Sequence, residues 1–145
     1  MTARHIIFDA NVLAKFPQSD NFFKAAHDSY MGMEAYIRSH CIPRTDIWYV
    51  LSLLERKNID VIVLSKTAVG AGKVFDVLGI PYSRSISSLD EIEDDASDYG
   101  YVSSLKKNCV AAKSLGFRAV RFVPGIGQDG CEVLALAGYR KKSDD

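Results

Sequence analysis

The sequence predicts a single α/β domain of three layers: a mainly parallel sheet with helices on both faces. Three observations carry that expectation. His5-Ile6-Ile7-Phe8-Asp9 and Ile59-Asp60-Val61-Ile62-Val63-Leu64 are nearly continuous apolar runs, as strands covered on both faces require. Segments with helical spacing of apolar residues separate the strand-like runs, and such alternation favours parallel pairing. A chain of 145 residues, 48% hydrophobic and 25% charged, has the size and composition of one globular core. The domain is expected to span 1–139, with 140–145 as a charged tail.

The first strand covers 5–9. A polar and aromatic insert of about 16–44 follows, in which Phe22, Phe23, Tyr30, Met31, Met33, Tyr36 and Ile37 are spaced as one or two amphipathic helices. Thr45 or Asp46 can cap the next helix, whose stripe is Ile47, Val50, Leu51 and Leu54. The β-branched run 59–64 is a strand closed by Ser65. A helix over 69–78 ends at Gly79, with Pro81 just beyond. Asp90 to Asp98 carries six acids and is expected as a solvated loop. Tyr99 to Val102 forms a short strand. Ser103 or Ser104 caps a helix over 105–115, with Leu105, Cys109, Ala112 and Leu115 on one face and Gly116 as its stop. Residues 118–123 and 132–136 complete the expected strands.

Composition excludes several classes of function. Lysine plus arginine and aspartate plus glutamate both number 18, so no net basic field points to nucleic acid. No apolar run approaches the roughly 20 residues of a membrane span. The chain enters its first strand within four residues of Met1, so no leader peptide is expected. Cys41, Cys109 and Cys131 lack metal-ligand spacing and read as reduced thiols, so a cytoplasmic location is expected. Gly125, Gly127 and Gly130 match G-x-G-x-x-G, but 131–136 looks extended rather than helical, so this segment is expected as a turn. Gly70-Ala71-Gly72-Lys73 has the wrong spacing for a phosphate loop, although a helix start there can offer N–H groups to an anion.

Asp9 concentrates the chemistry. A carboxylate at the tip of a buried strand needs hydrogen bonds, a counter-charge or a cation. Phe8-Asp9-Ala10-Asn11-Val12-Leu13 is followed by a second strand ending in Val63-Leu64-Ser65. A third unit runs from Val102-Ser103-Ser104-Leu105-Lys106-Lys107-Asn108 through Ala111-Ala112-Lys113-Ser114-Leu115-Gly116-Phe117-Arg118-Ala119-Val120. In order and spacing these resemble the first, second and fourth motifs of the haloacid dehalogenase superfamily, over most of residues 5–123. The resemblance implies a Rossmann-like sheet with a minimal helical cap insert. It also implies Asp9 as a nucleophile toward a phosphoryl group, with Ser65 as a phosphate ligand. Lys66 or Lys73 would be the cation. Mg²⁺ would be held at Asp9 and at the metal-loop positions Ser103, Ser104 and Asn108.

The departures from that pattern are chemical. Asn11 stands where the family's phosphatases place a second aspartate, and an amide cannot take up and return a proton at neutral pH. Ser103 and Ser104 replace metal-binding carboxylates, which weakens any Mg²⁺ site. Phosphohydrolase-type chemistry is thus expected to be weakened or lost. The substrate or partner would be a small phosphorylated molecule or a protein.

Two alternatives stand beside this one. Asp-x-Asn-Val-Leu after a first strand also resembles the opening of PIN-domain ribonucleases, which hold metal ions with several carboxylates. Asp9, Glu55, Asp95 or Asp98, and Asp129 would be the ligands. The other alternative is a non-catalytic binding or regulatory module, with the aromatic segment from Phe22 to Tyr49 as a small lid or partner surface.

Overall fold

The computed structural model describes residues 2–16, 28, 32–65 and 68–139. In chain order the elements are β1 (His5–Asp9), α1 (Ala10–Leu13), β2 (Ala14–Lys15), α2 (Met33–His40), β3 (Ile42–Pro43), α3 (Trp48–Arg56) and β4 (Asp60–Leu64). They continue with α4 (Ala68–Leu78), β5 (Arg84–Ile86), β6 (Tyr99–Ser103), α5 (Lys106–Ser114), β7 (Arg118–Arg121) and α6 (Cys131–Leu136). Five strands form one parallel sheet in the order β5-β4-β1-β6-β7, while β2 and β3 pair as a small antiparallel ribbon.

Strand periodicity of two sorts the core into two faces. Ile6, Phe8, Val61, Val63 and Val102 pack on one side against Val50, Leu51 and Leu54 of α3, Phe75 of α4, and Val133 and Leu134 of α6. Ile7, Ile62, Ile86, Tyr99 and Tyr101 pack on the other side with Ala112 of α5 and with Phe117. The result is a three-layer, Rossmann-like α/β fold, as the alternating apolar runs predict. No helix among the described residues is long and apolar enough to cross a membrane.

Several local expectations give way to tertiary structure. Residues 131–136 are helical, not extended. Val133, Leu134 and Ala137 are buried while Glu132 and Ala135 face solvent, the spacing of a helix face. The glycine triplet therefore does precede a helix, but its glycines serve the loop. Gly125 and Gly127 adopt φ of 84° and 78°, a region that side chains disfavour. Gly130 gives its N–H to the Tyr49 hydroxyl at 2.6 Å and packs on α3. Strand β5 is not among the expected strands, because Arg-Ser-Ile at a sheet edge carries no strand pattern.

Neither Thr45 nor Asp46 caps α3. A 3-10 turn over Thr45–Ile47 leads into the helix, and the Asp46 carboxylate instead accepts the Gly125 N–H at 2.8 Å. Leu105 and Leu115, expected on the buried face of α5, are 48% and 56% exposed because the helix is shorter at both ends. Of the insert 16–44, α2 and β3 are formed, while 17–27 and 29–31 lie outside the described residues, as does the tail 140–145. Phe16, Met33, Tyr36 and Trp48 pack against the core, the ordinary fate of such side chains.

The acidic stretch is built rather than merely solvated. Ser88 caps a 3-10 turn at Leu89–Glu91, whose Glu91 carboxylate accepts N–H groups from Ser87 and Ser88. Asp95 accepts the Ser97 N–H at 3.0 Å, and Asp94 accepts the Tyr99 hydroxyl at 2.7 Å. These bonds hold the carboxyls of Glu91, Asp94 and Asp95 below their ordinary values. A depressed carboxylate stabilises the fold above the unfolded value of about 4 and loses that contribution as pH falls through the folded value. The amides of Ser87, Ser88 and Ser97 are therefore expected to lose protection below about pH 4, before those of β1. Amide exchange followed against pH checks this order.

Candidate functional site

Strand order reverses between β1 and β6: the chain builds outward through β4 and β5 on one side, then through β6 and β7 on the other. Crevices beyond strand C-termini at such a switch point are where open α/β sheets place ligands. Asp9 ends β1 there, beside Ser103 at the end of β6 and Leu64 at the end of β4.

Parallel register sets what Asp9 touches. Ile7 pairs with Tyr101, so Ile7, Asp9, Tyr101 and Ser103 point to the same face of the sheet. The Tyr101 hydroxyl donates to Asp9 Oδ1 at 2.6 Å, a short bond of the charge-assisted kind. Asn108, in the first turn of α5, donates from Nδ2 to Asp9 Oδ2 at 3.3 Å. The same nitrogen lies 3.5 Å from Ser103 Oγ, which also accepts the Leu105 N–H at 3.1 Å. Ser103 is fully buried and Tyr101 is 3% exposed. Burial, followed by the adjacent Asp9 carboxylate, pushes the Tyr101 phenol well above its ordinary value, so it stays protonated and donates. Burial likewise raises the thiol of Cys109, whose Sγ faces the Ser103 carbonyl.

Of the residues singled out from sequence, Asp9, Ser103 and Asn108 come together. Ser104 sits beside them, and its carbonyl accepts Arg121 Nε at 3.0 Å. Ser65 follows β4 next to β1, where its N–H bonds to the Ile86 carbonyl. Asn11 is exposed, and its carbonyl accepts Arg44 Nε at 3.0 Å. Lys73 is exposed five residues into α4, roughly 7 Å along the axis from Ala68. No ion pair joins it to Asp9 among the described residues. Lys66 lies outside those residues.

Tyr101 was missed by sequence reading. The signal was present: Tyr99, Tyr101 and Ser103 alternate with Gly100 and Val102, so pairing with β1 puts Tyr101 on the face of Asp9.

The carboxylate cluster of the ribonuclease alternative does not assemble. The Asp98 carbonyl accepts the Arg4 N–H ahead of β1, and Glu55 lies near the end of α3 just before β4 begins. Asp95 caps the 3-10 turn that precedes β6. These positions are at the N-terminal edge of the sheet, a strand length of roughly 13 Å from Asp9. Asp129 accepts the Cys131 N–H in the loop after β7. Among the described residues, no three His, Cys, Asp or Glu side chains gather where they could hold a metal ion.

No family model matches the chain, and no curated protein matches it.

Proposed function

We propose that this chain is a haloacid dehalogenase-like domain that has given up phosphoryl transfer and works as a binding or regulatory module. The observation that supports this best is the state of Asp9: each carboxylate oxygen already accepts a hydrogen bond from the chain's own Tyr101 or Asn108. A nucleophilic carboxylate must direct a lone pair at phosphorus, and a strong phenolic donor at 2.6 Å opposes that.

The surrounding donors point the same way. Mg²⁺ prefers about six oxygen ligands, with carboxylates supplying charge. Here one carboxylate is met by an O–H and an N–H donor, and the Ser103 hydroxyl already accepts the Leu105 N–H. This donor set does not fit the cation. The uncharged O–H and N–H donors solvate the Asp9 charge in its place, and Asn11 cannot carry a proton to a leaving group as an aspartate would.

The test compares the parent with Asp9→Asn in hydrolysis of p-nitrophenyl phosphate and of single-stranded RNA, with Mg²⁺ or Mn²⁺ present. The expected result is no turnover by either protein and no change in melting temperature of the parent on adding Mg²⁺. Phosphatase turnover that Asp9→Asn abolishes would overturn the proposal in favour of a working hydrolase.

A further inference from the structure

The end of the sheet opposite Asp9 carries a second feature. An open cavity of about 540 Å³ lies between the loop 89–97 and the end of α5. Leu89, Ile92 and Phe117 supply apolar lining, and Asp90, Asp94 and Asp95 supply three carboxylates. No lysine, arginine or histidine lines it. Arg84 lies outside the lining, and its charge helps, after the bond from Tyr99, to lower the Asp94 carboxyl. Leu115, 56% exposed, forms part of the wall.

The complement of that cavity is on the same chain. Helix α5, which leads directly into Leu115, exposes Val110 at 58% together with Lys106, Lys107 and Lys113. An apolar, basic helix face and an apolar, acidic cavity therefore sit side by side on a chain of zero formal net charge. Adjacent complementary patches suit a two-fold pairing, in which each copy presents its helix to the other's cavity and the contact closes on itself.

We infer that the cavity between residues 89–97 and 115–117 is a self-association surface that receives the lysine-bearing face of α5 from a second copy of this chain. Lysine stems would cover Leu89, Ile92 and Phe117, while their ammonium groups meet Asp90, Asp94 and Asp95. Asp94 and Asp95 are already fixed by Tyr99 and Ser97, which lowers the ordering cost of association. The inference does not depend on how the Asp9 edge is read.

Sedimentation equilibrium of the full chain, over roughly 1–200 µM at low and high salt, tests it. A monomer–dimer equilibrium is expected, with its dissociation constant rising about tenfold or more in high salt. Asp90→Lys and Lys113→Glu are each expected to be monomeric, with unchanged circular dichroism. Asp90 gives the loop only its backbone N–H, to Ser88 Oγ, and Lys113 is exposed. Mixing the two variants should restore a heterodimer, since both cross-contacts then pair opposite charges.

A parent that stays monomeric throughout overturns the inference, as does a dimer indifferent to both substitutions. A monomer whose amide signals at 89–97 shift with a lysine- and leucine-rich peptide also overturns it, and assigns the cavity to a foreign partner.

Discussion

Asp9→Ala is expected to destabilise the chain by about 3 kcal/mol, a fall in melting temperature of roughly 10 °C for a domain of this size. The substitution removes the acceptor of the buried Tyr101 hydroxyl and of Asn108 Nδ2 together. Buried donors left without a partner cost more than the net value of the bond, and hydrogen bonds to a charged acceptor are the stronger kind. Chemical or thermal unfolding measures the change directly. Its sign is the informative part. A carboxylate kept at a strand tip only for reaction, without compensating donors, would be relieved by neutralisation, and the protein would become more stable. A fall instead identifies Asp9 as a tie joining β1, β6 and α5.

The coupling can be isolated. Tyr101→Phe alone leaves Asp9 Oδ1 short of its donor. In the double variant Tyr101→Phe with Asp9→Ala, neither partner of that bond remains. The loss in the double variant should fall short of the sum of the single losses by about 1–2 kcal/mol, the coupling of a charge-assisted pair. Asp9→Asn should cost less than Asp9→Ala. Its amide oxygen still accepts from Tyr101, while its NH₂ group meets the Asn108 donor without benefit. The order parent, Asn, Ala in melting temperature therefore follows from the hydrogen-bond inventory alone.

Much of the fold was legible because its central strands are long enough to carry a pattern. The runs at 5–9 and 59–64 are apolar and β-branched, and they occupy the middle of the sheet, where both faces are covered. What escaped notice is short or tied at long range. Arg84–Ile86 is a three-residue edge strand with no period to detect. Cys131–Leu136 is an apolar run of six residues, for which periodicity cannot separate strand from helix. Asp46 has the chemistry of a cap but bonds to Gly125, 79 residues away. The site divides the same way. Asp9, Ser103 and Asn108 were visible as motif positions, whereas Tyr101 becomes a partner of Asp9 only once β1 and β6 are adjacent and in register.

Gly130→Ala is expected to cost about 2–3 kcal/mol, the penalty of overpacking a site that cannot relax. A β-carbon at this position would press on Val50 Cγ2 and would lie 2.8 Å from the Tyr49 hydroxyl. Val50 cannot withdraw, and Tyr49, 45% exposed, can do so only by giving up its bond from the Gly130 N–H. Val50 is fully buried in the core on α3, and the Tyr49 hydroxyl is held close because it accepts the Gly130 N–H. Relief requires the 124–130 loop or α6 to shift, and α6 contributes Val133 and Leu134 to the same core. Thermal unfolding of Gly130→Ala should therefore show a fall of roughly 6–10 °C. The double variant with Val50→Ala separates steric from conformational causes. Trimming Val50 opens the space the new methyl needs, so the two losses should be markedly less than additive. Full additivity would mean that the glycine is needed for its backbone rather than for its closeness to α3. That outcome would conflict with its φ of −88°, which any residue adopts.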